Sequence, residues 1–123
     1  MRIWLLVGAG GFIGSVLRYL ASQLIQNRCL SLFPLGTFGV NILGCFVIGV
    51  IFGCSLKGNM TPEWRFFLAT GICGGFTTFS TFSNETIGLL RNGQVGYAFL
   101  YIAASVIVGL LATFLGITLI KLF

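Results

Sequence analysis

Histidine is absent from this 123-residue chain, and only Glu63 and Glu85 are acidic. Without imidazole, the usual base, metal ligand and proton shuttle near neutral pH is missing. Two carboxylates are too few to build a carboxylate-ligated transition-metal site. Charge of either sign is scarce: with seven Lys and Arg, charged residues make up 7% of the chain, against roughly 25% in ordinary soluble domains. A soluble chain this short buries a limited share of its area and needs a large polar surface, which these few charges do not supply. That excludes a soluble enzyme and a disordered tail. A nucleic-acid binder is excluded as well, because the cations behind the net charge of +5 are scattered singly and form no patch. The cysteines at 29, 45, 54 and 73 include no C-x-x-C pair. Three of them lie in apolar runs, where the thiol packs as a small apolar group.

What the chain has in quantity is apolar length: 57% of residues are hydrophobic and the mean hydropathy is +1.05. Four runs, 3–25, 33–56, 66–90 and 96–120, each exceed the about 20 residues needed to cross a hydrocarbon core. The expected fold is an all-α integral membrane protein, one four-helix domain over 1–123 set in lipid. Met1-Arg2 before an apolar run imitates a signal peptide. The run is longer than a signal's usual core and lacks a cleavage site, so it reads as the first span.

Four spans put both termini on one side, with Arg2, Lys57, Arg65 and Lys121, and leave Arg18, Arg28 and Arg91 on the other. The positive-inside rule orients a chain by an asymmetry of Lys and Arg, and four against three is almost none. One reading keeps the termini inside through Arg2, Lys57 and Arg65. The other lets the chain insert both ways up, giving an antiparallel homodimer with its two-fold axis in the membrane plane. Four short helices alone hardly enclose a pathway, which favours the second.

Gly10/Gly14 and Gly49/Gly53 are G-x-x-x-G pairs, the spacing that lets helix backbones approach in lipid. The third run contains the segment from Gly71 through Gly74-Gly75-Phe76-Thr77-Thr78-Phe79-Ser80-Thr81-Phe82-Ser83 to Glu85. Adjacent glycines followed by two threonines make a poor continuous helix. A break at membrane depth survives only where it is buried in protein or lines a polar cavity. Freed carbonyls there can hold a cation, and helix N-termini can face an anion. Phe76, Phe79 and Phe82 form a stripe that is either packing surface or a wall presenting positive ring edges beside the hydroxyls of Ser80, Thr81 and Ser83. Thr37 and Asn41 lie one turn apart in span two, and Tyr101 and Ser105 one turn apart in span four, with Thr113 beyond. Asn41 is either an interhelical hydrogen-bonding amide or a functional one. Arg18 either snorkels or acts within the membrane, and Glu85 is a candidate partner for Arg18 or Arg91.

These residues resemble the CrcB/Fluc family of fluoride channels. The resemblance runs over essentially the whole chain: Gly10-Gly11, Gly14 and Arg18 in span one, Gly36-Thr37-Phe38-Gly39-Val40-Asn41-Ile42-Leu43-Gly44 in span two, and Gly74 to Ser83 with Glu85 in span three. It implies a dual-topology antiparallel homodimer in the inner (plasma) membrane, with two pores that passively export fluoride from the cytoplasm. In that reading Phe79 and Phe82 present ring edges to the ion, Asn41 is the pore amide, and Ser80 and Thr81 form a hydroxyl track ending near Glu85. Tyr101 and Ser105 match pore positions on the fourth helix, and Arg18 a vestibule cation. The carbonyls of Gly74 and Thr77 match the ligands of a central structural sodium ion, and Gly109 stands where some members carry another serine. The alternative is a small four-span, dual-topology multidrug exporter, which wants a carboxylate in span one; residues 3–25 contain none. A scaffold subunit would explain the small-residue packing but not the hydroxyl–phenylalanine track.

Overall fold

The computed structural model describes residues 2–28 and 33–123, so Cys29 lies outside the described residues. Its elements are α1 (Arg2–Arg28), α2 (Leu35–Leu56), α3 (Pro62–Arg65), a π-helical segment (Phe66–Cys73), α4 (Gly74–Phe76), α5 (Phe79–Arg91) and α6 (Val95–Lys121). The chain is all-helical among the described residues, and α1, α2 and α6 are each long and apolar enough to cross a membrane. The expected third span is a compound element: a short capped helix, a π-helical stretch, one more turn, a break and a second helix. It starts where Thr61 accepts the Trp64 N–H at 3.4 Å with Pro62 in the first turn, a pairing that fixes a helix start in sequence.

Small residues set the packing. The α1 face carrying Gly10 and Gly14 lies on the π-helical segment so closely that a Cβ on Gly10 would stand 2.9 Å from the Gly71 Cα. Helix α2 meets α6 in the same way, with Gly49 against the Thr113 backbone. The Thr113 hydroxyl donates to the Cys45 carbonyl at 3.1 Å across this contact. Both G-x-x-x-G pairs thus bring helix backbones together, as lipid-embedded packing by van der Waals contact requires.

The buried interior is thin. Leu89, Ala98 and Tyr101 form one cluster, with Phe33, Phe38 and Phe82 packed around it, and Ile51, Ala69 and Cys73 form another. Trp4, Phe12 and Tyr19 of α1 and Phe99, Leu110 and Phe114 of α6 point outward. Apolar surface on this scale belongs against lipid or another protein surface. The fold is that of a multi-pass membrane protein whose broken element lies between α1 on one side and α2 and α6 on the other.

Candidate functional site

The break falls at Thr77 (φ −89°, ψ 156°) and Thr78 (φ −151°, ψ 115°), both extended. The sequence pattern placed it within the stretch from Gly74-Gly75 to Thr77-Thr78, and its position at the threonines has a physical reason. Both glycines remain helical, and Gly75 serves close contact: a Cβ there would lie 2.7 Å from the Gly11 carbonyl. The β-branched threonines are the residues suited to extended backbone. Their hydroxyls also seal the two helix ends. Thr77 Oγ1 donates to the Cys73 carbonyl at 3.0 Å, and Thr78 Oγ1 accepts the Thr81 N–H at 3.2 Å as the cap of α5.

A helix break frees backbone groups that must find partners in a low-dielectric surrounding. Asn41 takes one of them, the Thr78 N–H, and also bonds the carbonyl of the same residue. Its Oδ1 accepts the Thr78 N–H at 2.8 Å, and its Nδ2 donates to the Thr78 carbonyl at 3.2 Å. The amide is therefore an interhelical hydrogen-bonding group, and it keeps one N–H beyond the one spent on Thr78. Arg18 does not merely snorkel: its Nε donates to the Gly75 carbonyl at 3.1 Å. Among the described residues no hydrogen bond ends on the carbonyls of Gly74 or Thr77. Both residues line a concavity of about 380 Å³ that Asn41, Phe79, Phe82 and Ser105 also border. Neutral backbone oxygens freed by unwinding are the donor type that suits a hard monovalent cation, so the pair fits the expected sodium.

From the break the site continues along α5. Phe79 and Phe82 lie with centroids 5.6 Å apart, and Phe82 meets the Tyr101 ring edge-on at 4.8 Å. Thr78 Oγ1 donates to Thr81 Oγ1 at 3.1 Å and lies 3.3 Å from Ser80 Oγ, so the hydroxyls form a short connected track. One turn further, Glu85 accepts from Thr37 Oγ1 at 3.0 Å and from the Tyr101 hydroxyl at 2.9 Å. Its partners are two buried hydroxyls and not the arginines proposed from sequence. Tyr101 is fully buried, while Phe79 is 78% exposed on the single chain.

The structure thus gathers Asn41, Phe79, Phe82, Ser105, Gly74 and Thr77 at one concavity. Ser80 and Thr81 sit at its α5 cap, and Glu85 with Tyr101 one turn along. Arg18 reaches the break from the α1 side. Two pairings were not read from sequence, that of Thr78 with Asn41 and that of Thr37 with Glu85. The Thr37/Asn41 spacing of one turn was the available signal for the second. Gly109 is buried on α6, where a Cβ would meet Cys45 Sγ at 3.4 Å, an ordinary contact.

A helical multi-pass protein with a broken membrane element, its freed backbone gathered at a polar–aromatic concavity, has the build of a membrane transport protein. Residues 5–117 match the family described as CrcB-like protein, Camphor Resistance (CrcB), and the chain belongs to that family. It is 48% identical over 122 residues to the fluoride-specific ion channel FluC of Flavobacterium psychrophilum, covering 98% of each chain. The protein of that name from Chlorobaculum tepidum is 50% identical over 123 residues, 99% of this chain and 97% of its own. The one from Thermus thermophilus is 48% identical over 116 residues, 94% and 93%. The family is one of ion channels and not of enzymes.

Proposed function

We propose that the chain is a fluoride channel that passively exports fluoride from the cytoplasm across the inner membrane, through two pores of an antiparallel homodimer. The names of its relatives support the choice of ion. One structural observation carries the route: a line of anion-compatible groups, from the Asn41 amide past Phe79 and Phe82 to Ser105, borders one concavity at the helix break. Fluoride holds its water tightly, so a path for it must replace that water with donors. Here the free Asn41 N–H, the Ser105, Ser80 and Thr81 hydroxyls and the positive edges of the two phenylalanines take that role. Tyr101 forms the wall behind Phe82 and, with Thr37, holds Glu85 at the end of the track. Arg18 sets a positive potential near the mouth. Chloride, a larger ion, fits poorly into a narrow path built around short hydrogen bonds.

The homodimer reading rests on the exposed ring of Phe79 and the nearly even, four-to-three division of cations. A second copy, inserted the other way up, would close the concavity that one chain leaves exposed. The carbonyls of Gly74 and Thr77 from each copy would hold the structural sodium ion, which when bound supplies fixed positive charge beside the anion path. Expression of the chain in bacteria unable to clear fluoride is expected to restore growth at fluoride concentrations that otherwise arrest them. Continued arrest with the protein present in the membrane would count against the reading, while selective resistance to cationic drugs would favour the multidrug alternative.

A further inference from the structure

A second concavity, of about 330 Å³, lies where α1 begins, bordered by Leu6 of α1, Glu63 and Trp64 of α3, and Phe67. Its chemistry differs from that of the ion site. The Trp64 and Phe67 rings stand nearly perpendicular, at 83° with centroids 5.9 Å apart, and so form an aromatic corner. Glu63 is exposed beside them and has no ion-pair partner within 4.0 Å among the described residues. The adjacent cation, Arg65, is turned elsewhere: it donates to Ser55 Oγ at 3.4 Å and lies over the Phe66 ring at 5.6 Å. In a chain of net charge +5 an unneutralised carboxylate next to two aromatic faces is unusual. Such a corner attracts an ammonium group, the carboxylate through charge and hydrogen bonding and the rings through their negative faces. Trp64 is 58% exposed at the end of a membrane element, the level where indole rings meet lipid headgroups. Arg2, one helical turn before Leu6, is exposed on the same side of α1, placed for a phosphate.

We propose that this crevice binds a phosphatidylethanolamine molecule, its ammonium at Glu63, Trp64 and Phe67, its phosphate at Arg2 and an acyl chain along Leu6. The carboxylate, which needs a donor, selects ethanolamine over choline, and the missing ammonium rules against phosphatidylglycerol. The test is native mass spectrometry of the purified protein given equal amounts of phosphatidylethanolamine, phosphatidylcholine and phosphatidylglycerol with matched acyl chains. Retained phosphatidylethanolamine is expected to exceed each of the others about fivefold, the size of one exposed charge and cation–π contact. Glu63→Gln and Trp64→Leu, both at exposed positions, are each expected to bring the ratio close to one, and Arg91→Gln to leave it unchanged. Equal retention of the three lipids by the wild type, retention of choline lipid equal to ethanolamine lipid, or a preference that survives both variants overturns the proposal. The readout is bound lipid and not ion flux, so it stands or falls apart from the channel reading.

Discussion

Asn41→Leu is expected to lower fluoride efflux from protein-containing vesicles by at least about tenfold, the equivalent of losing one well-placed hydrogen bond to an ion. The reason is the double duty of the amide. It bonds the Thr78 N–H and carbonyl together, and Asn41 itself lines the concavity. Leucine leaves the Thr78 N–H unpartnered in a half-buried position, while the Thr78 carbonyl keeps its bond as the N-cap of α5. The cost is about 2 kcal/mol, so the unfolding midpoint in detergent should fall as well. Asn41→Asp separates the two roles in part. The acceptor for the Thr78 N–H survives, but the donor is lost and negative charge stands beside the path. Its efflux should fall as far as that of the leucine variant. Efflux within twofold of wild type in Asn41→Leu would show that the clamp has no part in the conducting route.

Phe82→Ile is the second large effect expected, a loss of about tenfold in fluoride efflux with the proposed dimer retained. Isoleucine keeps an apolar side chain of smaller bulk on α5 but has no ring edge and cannot reproduce the edge-on contact with Tyr101 at 4.8 Å. The neighbouring Phe79→Ile is informative by contrast. Because Phe79 is exposed on one chain, its loss should scarcely change the stability of the subunit while still reducing flux. Efflux undiminished in Phe82→Ile, measured on material that still runs as a dimer, removes this ring from the path.

Much of this architecture was legible in sequence because lipid imposes simple rules. The runs of apolar length became α1, α2 and α6 with ends shifted by only a few residues, since hydrocarbon thickness and hydropathy decide such elements. Gly10, Gly14, Gly49 and Gly53 were legible as packing positions because close backbone approach demands small residues at that spacing. The third element was only half legible. Its composition announced a break, but Gly75 turned out to serve contact with α1 while Thr77 and Thr78 took the extended conformation. The π-helical stretch Phe66–Cys73 had no sequence signal at all. Partners were the least legible. Asn41 with Thr78, Arg18 with Gly75 and Glu85 with Thr37 and Tyr101 are long-range pairings between elements. Charge alone pointed Glu85 towards an arginine, whereas packing put two hydroxyls within its reach.

The most direct measurement of the central claim is fluoride efflux from vesicles holding the purified wild-type protein, followed with a fluoride electrode. Internal and external pH are kept equal, and a potassium ionophore carries the compensating charge. Rapid fluoride release without any proton gradient is expected, with no release of chloride under the same conditions. Vesicles that keep their fluoride, or that release chloride equally fast, would contradict that claim.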